Sequence, residues 1–345
     1  YKKFPPKLTT IALAARLAAN AAYADRVIVS YDNNGDALRS GHSIKAQGKG
    51  WFAVELDDSS KSAMRGMNGF RSMETDHKRF PLSIYSDSAG DPNATQVTPY
   101  GVVQSQTDQV TLQPGSGQKV CIIDSGLDDS NQDFNWGNIT GDNDSGTGNW
   151  FDHGGFHGTH VAGTVAAADN GFGVVGMAPG VPLHIIKVFN EAGWGYSSDL
   201  AQAASLCSAA GANIISMSLG GSGSNSVEEN AFDDFTAAGG LVIAAAGNDG
   251  NNVRSYPAGY SSVMMVGAVD ANNNIAEFSQ YPSISKRVKG KFVDDDSTGV
   301  EVTAGGVAIL STYPAQLATL SNITADNMGY TSSAMENSGS VSGAT

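Results

Sequence analysis

The sequence predicts an α/β fold in which the main domain is built in three layers around a mostly parallel sheet. From residue 100 onward, short apolar strands at residues 119–123, 181–189 and 241–246 alternate with helical segments. Strands without a polar face are typical of parallel sheets that helices cover on both sides. Binding sites in such sheets lie at the carboxyl ends of the strands, so polar residues there are candidates for chemistry.

A small α+β unit, residues 25–82, is predicted before this domain. Its order of elements favours a ferredoxin-like module. A helix begins after Asp58-Ser59-Ser60, and the strands are predicted at residues 26–31, 50–56 and 69–74. Residues 83–94 are rich in Ser, Asp, Pro and Asn, which predicts an exposed, cleavable linker.

Residues 1–24 have the features of an export signal. Three lysines precede an apolar run that ends in Ala22-Tyr23-Ala24, the small-residue pattern of a signal cleavage site. We therefore expect a secreted, extracellular protein. The alternative is that this segment is an amphipathic helix.

The net charge of −14 is concentrated in residues 95–345, which hold seven basic and 24 acidic residues. Such an acidic domain repels nucleic acid, and it is compatible with bound divalent cations. We expect no nucleic-acid partner, no stable membrane association and a monomer. Cys121 and Cys207 are too few for a disulfide framework, and both have apolar neighbours. They are interpreted as small buried hydrophobic residues and not as a pair.

Three polar residues stand where chemistry is expected. Asp124 ends an apolar strand before a Ser-Gly turn, His157 starts a helix of small residues, and Asn248 follows a strand in Gly247-Asn248. Each residue alone fits an ordinary turn or helix terminus. An aspartate followed by a histidine is also the order of orienting acid and general base in one lineage of serine hydrolases.

Five motifs occur in one family's order, within about residues 95–312. On these the chain resembles a subtilisin-like serine protease precursor of the branch found in marine and other Gram-negative bacteria. The motifs are Asp124-Ser125-Gly126-Leu127-Asp128, His157-Gly158-Thr159-His160-Val161-Ala162-Gly163-Thr164, Gly173-Val174-Val175-Gly176-Met177-Ala178-Pro179, Ser216-Met217-Ser218-Leu219-Gly220 and Ala244-Ala245-Ala246-Gly247-Asn248. Residues 95–312 are accordingly interpreted as a catalytic domain.

The resemblance implies a role for each of the three residues. Asp124 would orient the imidazole of His157, and His157 would act as general base and then general acid. Asn248 would donate to the oxyanion of the tetrahedral intermediate. His160 is expected to be structural.

The resemblance also implies a cleft for polypeptide substrates. Residues Ser218, Leu219 and Gly220 would pair with an extended peptide, and Gly193, Trp194 and Gly195 would form the opposite wall. Ala245 to Gly247 would line the pocket for the side chain before the scissile bond. No charge is evident in that pocket, which favours apolar or broad preference.

A calcium site is implied in the same way. Its side-chain ligands would be Gln96, Asp133 and Asn170, and its backbone carbonyl ligands those of Ala168, Phe172 and Val174. Oxygen ligands of these kinds suit Ca²⁺.

The family's Gly-Thr-Ser-Met-Ala motif, which carries the nucleophile, does not follow Thr312. The nearest imitation, Thr331-Ser332-Ser333, precedes a polar run that cannot form the buried helix the family has there. Residues 313–345 are interpreted as the start of an insertion, with the serine beyond the end of this chain. The fragment itself is then expected to be inactive. The alternative is a non-catalytic, peptide-binding pseudoprotease.

Residues 25–82 resemble the family's propeptide, which implies an intramolecular chaperone and inhibitor that is later removed. We expect residues 83–94 to lie along Ser218-Leu219-Gly220 as an added strand. We also expect Gln96 to reach its calcium site only after cleavage frees the chain near residue 95.

Overall fold

The computed structural model describes residues 24–33, 35–82, 88–89, 96–111, 116–144, 146–190, 192–295 and 298–314, with short strands between 323 and 335. Nearly all of the predicted signal segment, most of the linker 83–94, Ser332, Ser333 and most of the predicted insertion lie outside these residues. The chain divides into two compact units, Tyr1–Asp76 and His77–Thr345.

The first unit is a four-stranded antiparallel sheet with two helices in β-α-β-β-α-β order, as expected of a ferredoxin-like module. Its strands lie in the order β2-β3-β1-β4. Its elements are β1 (Asp25–Tyr31), α1 (Gly35–Arg39), β2 (Ile44–Gly48), β3 (Trp51–Leu56), α2 (Asp58–Arg65) and β4 (Phe70–Thr75). Asp57 caps α2, because its side chain accepts from Ser60 N.

The second unit is organised by a seven-stranded parallel sheet in the order β17-β14-β13-β11-β7-β9-β8, which confirms the predicted fold class. Its strands are β5 (Lys78–Pro81), β6 (Ser88–Ala89), β7 (Val120–Asp124), β8 (Ile139–Asn143), β9 (Leu183–Lys187), β10 (Gly195–Tyr196), β11 (Ile214–Met217), β12 (Leu219–Gly220), β13 (Leu241–Ala245), β14 (Val263–Val269), β15 (Ser285–Val288), β16 (Lys291–Asp294), β17 (Val302–Gly305), β18 (Ile323–Ala325), β19 (Met328–Tyr330) and β20 (Ala334–Met335). Its helices are α3 (Tyr100–Gln104), α4 (His157–Ala166), α5 (Ser197–Ala209) and α6 (Ser226–Ala237).

Side chains along β7 alternate between two cores, one on each face of the sheet, and helices cover both. Cys121 and Ile123 point into the core beneath α5 and α6, whereas Val120 and Ile122 point into the core beneath α4. The strand is buried on both faces, as its apolar sequence predicts. Among the described residues, no helix is long and apolar enough to cross a membrane. Strands β15 and β16 form an antiparallel hairpin outside the seven-stranded sheet.

The interpretation of the two cysteines was wrong, because Cys121 and Cys207 form a disulfide. Cys121 lies on β7 and Cys207 on α5, with a Cα–Cα distance of 5.7 Å that permits the bond. Both are fully buried in the core between this helix and the sheet. Since 86 positions separate them, only the packing of α5 on β7 reveals the pair.

We predict that the disulfide stabilises the second unit by about 2–4 kcal/mol, because it closes a long loop in the unfolded chain. The double variant Cys121→Ala/Cys207→Ala should unfold at a correspondingly lower urea concentration. Alkylation of the unfolded, non-reduced protein should modify neither cysteine, and two reactive thiols there would contradict the bond.

Candidate active site

Asp124 and His157 come together at the carboxyl edge of the sheet. Asp124 ends β7 and is fully buried, and His157 is the first residue of α4. His157 Nδ1 lies 2.8 Å from Oδ1 and 2.9 Å from Oδ2 of Asp124. An ionised carboxylate can only accept, so Nδ1 carries the proton and Nε2 faces the cleft.

Glycines allow α4 to begin this close to β7. A Cβ at Gly158 would collide with the carbonyl oxygen of Gly126, and Gly126 itself has a positive φ of 88°. Ser125 Oγ accepts the backbone N–H of Gly158 at 2.9 Å. The Ser-Gly turn after Asp124 therefore fixes both the acid and the start of the helix that carries the histidine.

A strand of this same chain lies in the predicted peptide cleft. β5 pairs antiparallel with β12, matching Pro81 to Leu219 and Phe80 to Gly220, and Leu82 N donates to Ser218 O at 2.9 Å. On the other side it pairs antiparallel with β10, matching Arg79 to Gly195. The structure thus places the two predicted walls, residues 193–195 and 218–220, on either side of one extended segment.

The segment in the cleft is residues 78–82, and the expectation that residues 83–94 would lie along Ser218-Leu219-Gly220 was wrong. Leu82 comes last, with its carbonyl oxygen 3.4 Å from His157 Nε2. Lys78 Nζ lies 3.9 Å from the ring centre of Trp194, and Arg79 is completely buried. These side chains anchor the segment, whereas composition alone had suggested the polar linker.

Leu82 lines a cavity of about 330 Å³ together with His157, Ala245, Gly247 and Asn248. Gly247 has a φ of 115°, and the amide of Gln280 occupies the place of its absent Cβ. The residues that line this cavity include no Asp, Glu, Lys or Arg. The structure therefore brings the predicted oxyanion donor and the predicted pocket to the same place as the Asp–His pair.

His160 lies one helical turn behind His157. Its Nε2 donates to Ile309 O at 3.1 Å, while its carbonyl accepts from Ser311 Oγ. Burial, together with the neighbouring His157, lowers the pKa of His160 to about 4, and the effects of Ile309 O and Asp124 oppose this shift. These contacts tie the segment after β17 to α4.

The predicted calcium ligands gather at a loop after α4. Asp133 Oδ1 accepts from Asn170 Nδ2 at 3.0 Å and Oδ2 accepts from Val174 N at 2.8 Å, while Gln96 Oε1 accepts from the backbone N–H of Asn170 and Gly171. Burial raises the pKa of Asp133, and the hydrogen bonds from Val174 and Asn170 oppose that rise. A buried carboxylate whose recorded donors are neutral is chemically suited to a cation.

The expected dependence of Gln96 on cleavage was wrong. Gln96 contacts residues 169–171 in the same structure in which Leu82 faces His157. The chain between Leu82 and Gln96 is long enough for both contacts to exist together. The loop that would hold calcium is therefore assembled around Gln96 while the cleft is filled.

Sequence reasoning missed one buried group at the cleft, formed by Arg79, Glu228 and Tyr260. Glu228 stands three positions after Asn225, whose side chain caps α6. An acidic residue in the first turn of a helix is ordinary, so the sequence gives no sign that Glu228 also binds Arg79. The available clue was Arg79 itself, a basic residue directly before the apolar run from Phe80 to Leu82.

Comparison with known proteins agrees with this geometry. The sequence profile of the subtilase family matches residues 115–344, more than half of the chain. The chain belongs to the subtilase family. This is a family of serine endopeptidases, and its members resemble the chain over about two thirds of its length.

Subtilisin DY of Bacillus licheniformis is 39% identical over 234 residues, which are 66% of this chain and 79% of that protein. Alkaline protease of Shouchella clausii is 35% identical over 68% of this chain and 57% of its own length. The crystal structure of the psychrophilic subtilisin-like protease Apa1 from Pseudoalteromonas sp. AS-11 matches with a TM-score of 0.58 and 45% identity, covering 68% of this chain and 52% of that one. This subtilase chain therefore spans little more than half of some relatives.

The low pKa of His160 predicts a loss of stability in acid. Because the pKa in the folded protein, about 4, lies below the ordinary 6.5, protonation favours the unfolded chain. The stabilising contribution is complete above about pH 6.5 and is lost as the pH falls to about 4. Since the ring is partly exposed, we expect an effect on the order of 2 kcal/mol.

Urea unfolding across this pH range measures the effect. His160→Gln should flatten the acid decline, whereas His42→Gln in the first unit should leave it unchanged. An equal decline in wild type and His160→Gln would show that other groups cause it.

Proposed function

We propose that this subtilase is the precursor of a secreted serine endopeptidase that hydrolyses peptide bonds in polypeptides. The observation that carries the proposal is the strand β5 in the cleft, with the carbonyl oxygen of Leu82 3.4 Å from His157 Nε2. A peptide held between two strands with one carbonyl at a histidine has the arrangement that acyl transfer needs.

In the proposed reaction a serine hydroxyl attacks the carbonyl carbon of the bound peptide. His157 Nε2 takes the hydroxyl proton and later gives it to the leaving amine, while Asp124 holds the ring and stabilises its cation. Asn248 donates to the oxyanion that forms in the tetrahedral intermediate. The part of the cavity lined by Ala245, Gly247 and Asn248 would receive the side chain before the scissile bond, and the absence of charge on these three residues supports an apolar preference.

The serine is proposed to come from a Gly-Thr-Ser-Met-Ala motif that lies beyond Thr345. One face of the sheet supports this idea, because alternate residues of β14, Met264, Val266 and Ala268, are only half-buried there, as are Ile243 and Ala245 of β13. An apolar helix that starts with the nucleophile would bury this face and place the hydroxyl near His157.

Residues 25–82 are proposed to act as chaperone and inhibitor until they are removed. The occupation of the cleft by β5 supports inhibition, since no substrate can pair with β12 while β5 does. The position of Leu82 makes the bond from Leu82 to Ser83 the proposed first cleavage site. The disulfide between Cys121 and Cys207 supports export, because such bonds persist in oxidising compartments.

We predict that the protein extended through its serine motif hydrolyses peptides with leucine before the scissile bond. His157→Ala should lower kcat on the order of 10⁶-fold, the loss known for removal of a triad histidine, and Asn248→Ala about 10²–10³-fold. Labelling by a fluorophosphonate should require the serine and His157. A stop codon directly after Thr345, or an extended protein that binds peptides without cleaving them, would favour the pseudoprotease.

We also propose that Gln96, Asp133 and Asn170, with the carbonyl groups of Ala168, Phe172 and Val174, hold Ca²⁺. In the described part of the chain no three His, Cys, Asp or Glu side chains form a metal cluster. The site would therefore rely on amide and carbonyl oxygens around the single carboxylate of Asp133, which suits Ca²⁺ better than a transition metal.

We predict that chelation lowers the melting temperature by about 5–10 °C when calcium is otherwise near 100-fold above its Kd. Asp133→Ala should abolish most of this difference, whereas Asp233→Ala on the exposed side of α6 should keep it. Identical melting curves with calcium and with chelator would contradict the site.

A further inference from the structure

The side chain of Arg79 enters a closed pocket of the second unit. All five N–H donors of its guanidinium have acceptors. Nε donates to Glu228 Oε1 at 3.0 Å and Nη2 to Glu228 Oε2, while the carbonyl oxygens of Lys78, Ser222 and Gly223 accept the other three at 3.0–3.3 Å. The adjacent side chains of Lys78 and Phe80 are exposed. Of these three side chains, only Arg79 is buried and bound to a carboxylate.

The pocket is built to hold a carboxylate in place. Glu228 lies in the first turn of α6, where the helix dipole favours a negative charge, and its backbone N–H is bound by Asn225 Oδ1. Tyr260 donates its hydroxyl hydrogen to Glu228 Oε2 and accepts from Asn225 N at 3.1 Å. Both Glu228 and Tyr260 are at most 2% exposed. Helix and ring thus fix the carboxylate whether or not an arginine is bound.

Such a pocket discriminates strongly between side chains. A planar guanidinium matches a carboxylate with two parallel hydrogen bonds, which an ammonium cannot do. An apolar side chain in the same place would leave the carboxylate of Glu228 desolvated beside Tyr260 without a cation, an arrangement that is strongly unfavourable. The pocket therefore selects arginine above lysine, and lysine above an apolar residue.

We propose that Glu228, positioned by Tyr260, is a specificity residue for substrates that carry arginine three residues before the residue whose carbonyl faces His157. The proposal rests on the proposed endopeptidase function, because it assigns the substrates of that same cleft. Arg79 occupies the position in the uncleaved chain, so the inhibitory segment and the preferred substrate share one recognition element. The substrate class is a polypeptide with arginine, two further residues and then an apolar residue before the scissile bond.

The first test measures hydrolysis by the processed, extended protein. Peptides with the sequence of residues 78–82 before a reporter amide are compared with peptides in which norleucine or lysine replaces the arginine. We expect kcat/KM to fall on the order of 10²-fold with norleucine and less with lysine. Replacing the phenylalanine that corresponds to Phe80, whose side chain is exposed, by leucine should change kcat/KM less than about threefold. Equal rates for arginine and norleucine would overturn the proposal.

Variants of Glu228 and Tyr260 test whether this pocket causes the preference for arginine. Glu228→Leu should reduce the ratio between arginine and norleucine peptides to near one and improve cleavage of the norleucine peptide. Tyr260→Phe should lower the ratio about tenfold, mainly through KM. A ratio that survives Glu228→Leu would assign the selectivity elsewhere.

The second test needs no catalysis and uses the chain as it stands. Hydrogen exchange of the Leu82 amide, which donates to Ser218 O, reports how often β5 leaves the cleft. Arg79→Met should accelerate this exchange on the order of 10²-fold, whereas Phe80→Leu, at an exposed side chain of the same strand, should leave it nearly unchanged. If no peptide is hydrolysed but this difference is found, the endopeptidase proposal fails and the pocket stands. Unchanged exchange in Arg79→Met would refute the pocket itself.

Discussion

The second unit depends on how it compensates a fully buried carboxylate at the end of β7. Asp124 is inaccessible to water, and a charge in that position requires hydrogen bonds from the protein. Ser125 N and His157 Nδ1 supply these hydrogen bonds, and each bond constrains the backbone. The bond from Ser125 requires the tight Ser-Gly turn, and the bond from His157 requires α4 to start against that turn. The close approach of Gly158 to Gly126 follows from this constraint, and so does the direction of His157 Nε2 toward the cleft.

Three buried carboxylates in an acidic domain have three different kinds of partner. Asp124 is compensated from within by His157, and Glu228 by the guanidinium of Arg79 on β5. Asp133 receives only neutral donors among its recorded hydrogen bonds, from Asn170 and Val174. Burying a charge is costly, so each site is stable only when its partner is present. Asp124, whose partner His157 is permanent, lies in the proposed catalytic centre. Glu228, whose partner lies on the removable strand β5, forms the proposed recognition pocket. Asp133, which has only neutral donors, lies in the proposed calcium site.

The sequence predicted the features that rest on local pattern. Apolar strands and small-residue helices gave the parallel sheet, and Asp124 and His157 were found because each stands at the end of such an element. Strand β8 was missed because residues 139–143 contain one large apolar residue, and its pairing with β9 decides its structure. The disulfide was missed for a similar reason, since Cys121 and Cys207 meet only through packing. The position of β5 in the cleft depends on the match between Arg79 and Glu228, 149 positions apart, which no local pattern shows.

The buried arginine also decides which peptide bond the cleft presents. Side chains of a strand alternate, so a shift of β5 by one residue would turn Arg79 outward and put Lys78 or Phe80 at Glu228. A shift by two would put Pro81 or His77 there and leave the guanidinium unpaired in the same way. The backbone pairing with Leu219 and Gly220 would survive a shift by two residues, because it does not depend on side chains. The ion pair between Arg79 and Glu228 therefore supplies the register that the sheet itself lacks, and it places the carbonyl of Leu82 at His157.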